Sequence, residues 1–473
     1  MSLNKGQRKV FDLIKEGHNV FCSGVAGTGK SYLIDEIRRH FGHETLFTST
    51  TGISAVNIDG STLHSTMSIP LGHPTPKQMT KVSKKTKELF SKGVVKRIVI
   101  DEAGFITPGA MYALALRLKR FTRSTKNRKI EKIQVIMFSD LGQLGAIVNP
   151  RERALAIQYY KTDKFYRMRQ FEEMDFKFIE LTENMRQRDD LVYQQKLNTL
   201  RTAKGKHYID KNFKGEPCYK CDLNQEVKDT IDWLNEQCYK YPLPKKSIKL
   251  ATTNNIVAEY NREAFDLNYN PVGTYTATVT GNFNEKNAPA ESELELKEGL
   301  RVIILKNDEE GWYVNGSTGT VKEMTAEGVV VQLDKNIKEP TLPPPEILIT
   351  PATWEERDYV VEPNEAKVEE LTLKITGSFE QIPLKQCDAL SIHRSQGQTI
   401  ASDLVLDFGY GAGWLPGGAY VAFSRATNVN NIRLKRKLKY DDVIADYDAL
   451  EWLEEKLKNS EENQKLQLDI KGE

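Results

Sequence analysis

The sequence predicts an α/β fold: two lobes of parallel sheet covered by helices, with a small β-domain inserted in the second. Three observations carry that expectation. Short apolar runs at Asn19–Ser23, Leu46–Ser49, Ile98–Ile100 and Val135–Phe138 are separated by helix-length stretches, the texture of a parallel sheet with helical crossovers. A second strand-then-helix unit starts at Ile248–Thr252 and runs into Asn254–Phe265, where Val257 and Asn261 lie one helical turn apart. From Gly299 to Ile382 the runs become short and alternating and are broken by Gly316, Gly319 and Gly328, which reads as β structure.

Taken in order, residues 1–200 form the first lobe. The run at Asn19–Ser23 enters a glycine-rich loop, and Leu33, Ile34 and Ile37 then recur at helical spacing. Residues 201–298 are a linker and the start of the second lobe, 299–380 the inserted β-domain, and 381–455 the remainder of that lobe. Pro340, Pro343, Pro344 and Pro345 cannot sit in a central strand or helix and mark a loop inside the insertion. Residues 456–473 are rich in Glu, Lys, Asn and Gln with few apolar anchors, and read as a frayed tail.

Composition excludes several classes. At 473 residues the chain has room for roughly three domains of about 150 residues. Lys and Arg number 67 against 65 Asp and Glu, so the net charge of +2 draws in no polyanion globally and any nucleic-acid site must be a local patch. Five scattered cysteines give no disulfide framework and fit a reducing compartment. No window approaches the roughly 18 apolar residues of a membrane span, and Met1–Val10 is too polar for a secretory signal, so the expectation is a soluble intracellular protein with no membrane partner, cytoplasmic in a bacterial or phage-infected cell and nuclear in a eukaryotic one.

The strongest chemical signal is Gly24-Val25-Ala26-Gly27-Thr28-Gly29-Lys30-Ser31, a P-loop pattern between a strand and a helix. Its glycines let backbone amides face phosphate oxygens, and the helix N-terminus adds a positive dipole end. Lys30 is expected on the β- and γ-phosphates and the Ser31 hydroxyl on Mg²⁺. Phosphoryl transfer to water also needs a second metal holder and a group for the water. Asp101 and Glu102 emerge from an apolar strand at its carboxyl end, with Asp101 holding Mg²⁺ through water and Glu102 as general base. After the strand at Val135–Phe138, Gln143 is a candidate γ-phosphate sensor. Arg186 and Arg425 are candidate cationic fingers, which reach a nucleotide only if two lobes close over it.

These motifs appear in helicase order: Leu3-Asn4-Lys5-Gly6-Gln7, the P-loop, Thr51-Gly52-Ile53-Ser54-Ala55, Gly60-Ser61-Thr62-Leu63-His64-Ser65 and Asp101-Glu102. The sequence resembles the Pif-one-like DNA helicases, relatives of RecD and the phage Dda helicase. In the second lobe, Ser391-Ile392-His393-Arg394-Ser395-Gln396-Gly397-Gln398-Thr399 follows that family's motif V and Tyr420–Arg425 its motif VI. The resemblance spans residues 3–426. It implies two RecA-like lobes with ATP in the cleft and accessory insertions, one an SH3-like β-barrel. It also implies a monomeric motor that moves 5′ to 3′ on single-stranded DNA and acts at single/double-strand junctions.

By the same resemblance Gln7 reads adenine, and Gly24, Ala26, Gly27, Thr28 and Gly29 complete the nucleotide cradle with Lys30 and Ser31. Gln143, Arg186, Gly397 and Arg425 respond to the γ-phosphate, and Thr51, Gly52, Thr62, His64, His393 and Ser395 face the DNA strand. An insertion at about 65–92 would be the wedge that splits duplexes. The alternative is a single-strand translocase or protein-displacing motor with little unwinding.

Some positions depart from the family pattern. Ser139, Leu141, Gly145 and Ala146 replace four usual residues of motif III, Gly418 stands where motif VI has glutamine, and Ala103–Phe121 poorly matches the family's signature stretch. Other features are weaker. Cys218, Cys221 and Cys238 with a distant His207 fall short of a tetrahedral zinc set. Lys81, Lys84, Lys85 and Lys87 read equally as DNA-facing or as solvated surface. Arg117 through Lys129 reads as solvated surface, and Trp312 and Trp354 as packing in the β-domain.

Overall fold

The computed structural model describes residues 3–51, 54–55, 58–70, 75–122, 132–146, 150–184, 190–211, 217–244, 247–285, 288–313, 315–336, 338–339, 341–363, 369–400, 402–409 and 416–471. The side chains of 150–151, 206–221, 358, 369–371, 373 and 461–471 lie outside that description.

The first lobe is a six-stranded sheet formed by β1 (Val20–Gly24), β2 (Thr45–Ser49), β3 (Ser61–Thr62), β4 (Arg97–Asp101), β5 (Gln134–Ser139) and β6 (Lys177–Leu181). The spatial order is β3-β2-β4-β5-β1-β6 and every pairing is parallel. Central strands are buried throughout, which explains their unbroken apolar runs. Helices α1 (Lys5–Lys15) and α2 (Lys30–Phe41) cover one face, packing Val10, Phe11, Ile14, Leu33, Ile34 and Ile37 against it. Asn4 starts α1 through a capping box with Gln7, and the cap places Gln7 next to the P-loop.

The second lobe is a smaller parallel sheet with strands ordered Ala389–Ser391, Ile248–Ala251, Leu404–Asp407, Ile432–Leu434. Between its first two strands in sequence lies the inserted domain. Its five-stranded antiparallel sheet runs Glu346–Ile349, Val329–Leu333, Thr318–Met324, Arg301–Ile304, Leu384–Gln386 around a core of Val302, Ile304, Val321, Val331, Ile349 and Leu384. The sheet takes its last strand from beyond residue 380. Strands Ala352–Pro363 and Glu369–Gln381 leave it as a long antiparallel ribbon, with Thr278–Gly281 paired as a third strand beside Gly377–Glu380. Trp354 is buried at the ribbon's base against Phe379. Along its length Tyr359 reaches the first lobe, where its hydroxyl accepts the Phe47 amide at 2.7 Å and its ring joins that lobe's core.

A second tie between the lobes comes from the chain's last helix, Tyr447–Lys471. The frayed tail expected from 456 falls within this helix. Its Trp452 is 2% exposed and packs among Phe21, Tyr166, Phe171 and Phe178 of the first lobe. Asp448 accepts from Arg167 at 2.8 Å and from Tyr166 at 2.9 Å.

The described residues of the segment at about 65–92 include the short helices Pro76–Met79 and Lys84–Ser91. Arg117 departs from the solvated reading. It is 1% exposed, and its guanidinium donates to the carbonyls of Ser68, Met79, Lys81 and Ala113 at 2.7–3.0 Å, fastening the insertion to helix Pro108–Phe121. Burial lowers its pKa to about 10, which still leaves it cationic at neutral pH.

Candidate active site

Backbone geometry creates the site at the carboxyl ends of β1, β4 and β5. Between β1 and α2 the P-loop turns through Gly27 and Gly29 at φ of 85° and 76°. The φ of Gly29 favours glycine, and a Cβ there would sit 2.7 Å from Gln7 Nε2 and displace that amide. Gln7 donates through that nitrogen to the Gly29 carbonyl at 3.2 Å, so the residue expected to read the base is locked to the loop beside it. Lys30 curls over the loop and donates to the Gly24 carbonyl at 2.7 Å and the Val25 carbonyl at 3.4 Å. Ser31 is exposed at the helix start.

Asp101 ends β4, and Glu102 follows at φ 50°, a left-handed conformation that a glutamate adopts only when its surroundings enforce it. The enforcement comes from the end of β2 and the residue after it, because the Thr50 hydroxyl donates to the Glu102 carbonyl at 2.8 Å and the Ser49 hydroxyl to the Asp101 carbonyl at 3.3 Å. Burial raises the pKa of Asp101. Burial, reinforced by Asp101, pushes Glu102 up to about 7, with Lys30 and Arg425 pulling the other way.

Asp140, one residue past β5, is the hub of the site. Its Oδ1 accepts from the Gly142 amide at 3.1 Å and Arg201 Nε at 2.9 Å. Its Oδ2 accepts from Gln143 Nε2 at 2.9 Å and the Tyr420 hydroxyl at 3.1 Å. Burial alone would raise this carboxyl, but Arg201 and Lys30 outweigh it and hold the pKa below the ordinary carboxylate value. Arg201 also donates to Glu180 at 2.9 Å.

Of the residues singled out in the sequence, Gln7, the P-loop, Asp101, Glu102 and Gln143 share this cleft. Arg425 comes from the second lobe close enough to act on Glu102, yet it is 1% exposed and donates to the carbonyls of Val421, Ser395 and Gln398. Gly397, at φ 80°, is in the same turn as Gln398. Thr51 follows β2, and Thr62 ends β3, where its hydroxyl caps the helix carrying His64. His393 follows strand Ala389–Ser391. Burial lowers the pKa of His64 and of His393, favouring neutral rings. Ser395 is fully buried, and its hydroxyl donates to the Ile392 carbonyl instead of facing outward. Arg186 and Gly52 lie outside the described residues, as do the Cys218, Cys221 and His207 side chains.

Asp140, Tyr420, Arg201 and Asn184, whose Nδ2 donates to the Ala26 carbonyl at 3.0 Å, belong to the site without having been singled out in the sequence. Asp140 directly follows a strand and Tyr420 lies in motif VI, so their polar groups at strand ends and in a motif are the only local signal. Arg201, some sixty residues from Asp140 in sequence, carries no local signal.

The donor set fits a magnesium nucleotide. Lys30, two adjacent carboxylates and an amide-lined glycine loop converge, and the Ser23 and Ser139 hydroxyls and Gln143 Oε1 are buried there without a hydrogen-bond partner among the described residues. Among those residues no cluster of His, Cys, Asp or Glu forms a dedicated metal cage. Among the described residues no helix is long and apolar enough to cross a membrane.

A P-loop between a parallel strand and helix, a carboxylate pair on a neighbouring strand and a second lobe closing on the same loop define a P-loop NTPase of two RecA-like lobes. Residues 2–207 match the model of the family described as PIF1-like helicase. The chain is 26% identical over 436 residues to the ATP-dependent DNA helicase Pif1 of Bdellovibrio bacteriovorus, covering 92% of this chain and 88% of that one. It is similar to Bacteroides Pif1 in complex with ADP-AlF4, with a TM-score of 0.80, 26% identity and 96% of each chain covered. With the same identity and coverage, Bacteroides Pif1 bound to ssDNA gives a TM-score of 0.62. The chain is thus similar to PIF1-like helicases over both lobes.

Proposed function

We propose that this protein is an ATP-dependent DNA helicase that moves 5′ to 3′ on single-stranded DNA and separates duplex at a single/double-strand junction, working as a monomeric motor. The observation that carries the reading is the convergence of Lys30, the Asp101–Glu102 pair and the Asp140–Gln143 turn on a P-loop that the second lobe touches directly. The DNA complexes of the Bacteroides relative support the choice of substrate.

In this reading the loop amides cradle the ATP phosphates and Lys30 exchanges its loop carbonyls for phosphate oxygens. Ser31 and Asp101 would hold Mg²⁺, which supplies charge neutralisation at the β- and γ-phosphates. Glu102 takes the proton of the attacking water as the β–γ bridging oxygen leaves with ADP and inorganic phosphate is released. Gln143 orients the γ-phosphate, and Arg425 with Arg186 offsets the developing charge. Thr51, Thr62, His64 and His393 follow strand ends of the two lobes, where hydroxyls contact phosphates and neutral rings stack on bases without reading sequence.

The experiment is unwinding of two otherwise identical partial duplexes, with a 5′ or a 3′ single-stranded tail, under ATP and Mg²⁺. Separation of the 5′-tailed substrate alone is expected. Preference for the 3′ tail refutes the polarity, and ATP hydrolysis without separation of either duplex replaces the helicase reading with the translocase.

A further inference from the structure

We propose that Tyr420 is a positioning residue for nucleotide hydrolysis: its hydroxyl ties the P-loop and the strand-end acid Asp140 to the second lobe, so that turnover depends on how the lobes meet. This rests on the ATPase reading of the site above. Tyr420 belongs to helix Gly418–Phe423 of the second lobe, yet its side chain is 1% exposed because it is inserted into the first. There the hydroxyl plays two parts at once, accepting the Ala26 amide at 2.9 Å and donating to Asp140 Oδ2 at 3.1 Å. On the other side of Ala26, its carbonyl accepts Asn184 Nδ2 at 3.0 Å. The peptide groups flanking one P-loop residue are therefore held from two directions, one of them across the lobe boundary.

The partner acid is itself immobilised. Two donors on each oxygen fill the acceptor capacity of Asp140, and Arg201 keeps it anionic. Gln143 shares Oδ2 with Tyr420, so a shift of the tyrosine is felt by the amide expected to sense the γ-phosphate. Close backbone contact keeps the helix in register with this turn: Gly417, at φ 82°, lies where a Cβ would meet the Gly142 carbonyl at 2.6 Å. Moving the lobes apart by even an ångström breaks the pair of hydrogen bonds, releasing the Ala26 amide and one partner of Asp140 together. Phenylalanine fills the same buried space but can neither accept from the amide nor donate to the acid.

The test compares wild type, Tyr420→Phe, Asp140→Asn and the double variant in steady-state ATPase assays with saturating oligothymidylate. Hydrogen exchange at the Ala26 amide is followed in parallel in the nucleotide-free wild type and Tyr420→Phe proteins. Tyr420→Phe is expected to lower kcat about tenfold, the scale of one hydrogen bond to a charged group, with KM for ATP within about twofold. The Ala26 amide should exchange about tenfold faster in the variant. The double variant should fall no further than the lower single, because the two groups act through one contact. An unchanged kcat, a KM that accounts for the whole loss, or an Ala26 amide that exchanges at the wild-type rate overturns the assignment. Wild-type protein without ATP turnover instead removes the ATPase reading itself, while the exchange measurement still reports on the contact.

Discussion

Replacing Glu102 by Gln is expected to stabilise the protein above neutral pH while removing hydrolysis. Burial, and then Asp101, moves the Glu102 carboxyl from the ordinary 4.5 up to about 7. The folded form therefore binds this proton more tightly than the unfolded chain does. The resulting stability is fully present below 4.5 and is lost as pH rises through about 7. The difference of about 2.5 in pKa corresponds to roughly 3 kcal/mol by the end of the titration, an amount shared with Asp101 because the two carboxyls titrate as neighbours. Glutamine keeps the shape and removes the charge. Thermal unfolding of wild type and Glu102→Gln without nucleotide should thus show a gain of several degrees at pH 8 that shrinks to nothing near pH 4.5. In turnover the variant should lose about a hundredfold or more, the scale of a general base. For wild type, kcat/KM for ATP should rise about tenfold between pH 6 and pH 8 as Glu102 ionises. A gain of equal size at both pH values, or a loss at pH 8, refutes the claim that the folded site works against this charge.

Two further substitutions test how the accessory elements are held. Trp452→Ala should cost about 3–5 kcal/mol by emptying the aromatic cluster on the first lobe, and hydrogen exchange should accelerate across Phe171–Phe178; unchanged exchange there would mean the last helix does not brace that lobe. Arg117→Met leaves the Ser68, Met79 and Lys81 carbonyls without their cationic donor, at a cost of roughly 3 kcal/mol, and should open Lys84–Ser91 to proteolysis at a protease level that spares wild type. Persistent resistance of that helix would show that Leu89 and Phe90, packed into the first-lobe core, hold it without the arginine.

Much of the fold was legible because local chemistry and fold agree over short windows. Each apolar run expected as a first-lobe strand is a strand, since a parallel sheet buried on both faces demands unbroken apolar residues. The P-loop and Asp101–Glu102 were legible for a similar reason: a glycine at φ 76° and an acid at a strand end are local demands of the chemistry. Arg117 misled because a basic run looks the same whether its guanidinium meets water or four backbone carbonyls. Ser395 misled because a hydroxyl in a motif says nothing of which way its turn faces.

By itself the sequence determined the two-lobed α/β class, the inserted β-domain, the nucleotide loop, the acid pair and the order of motifs that marks the family. Only the tertiary structure decided what joins them. Tyr420 to Ala26, Arg201 to Asp140, Tyr359 to Phe47 and Trp452 to Phe21 are pairs of ordinary residues tens to hundreds of positions apart. Their meaning comes from burial and distance. A hydrogen bond or ring contact needs atoms within a few ångströms, and the path that brings distant residues so close is set by the packing of the whole chain.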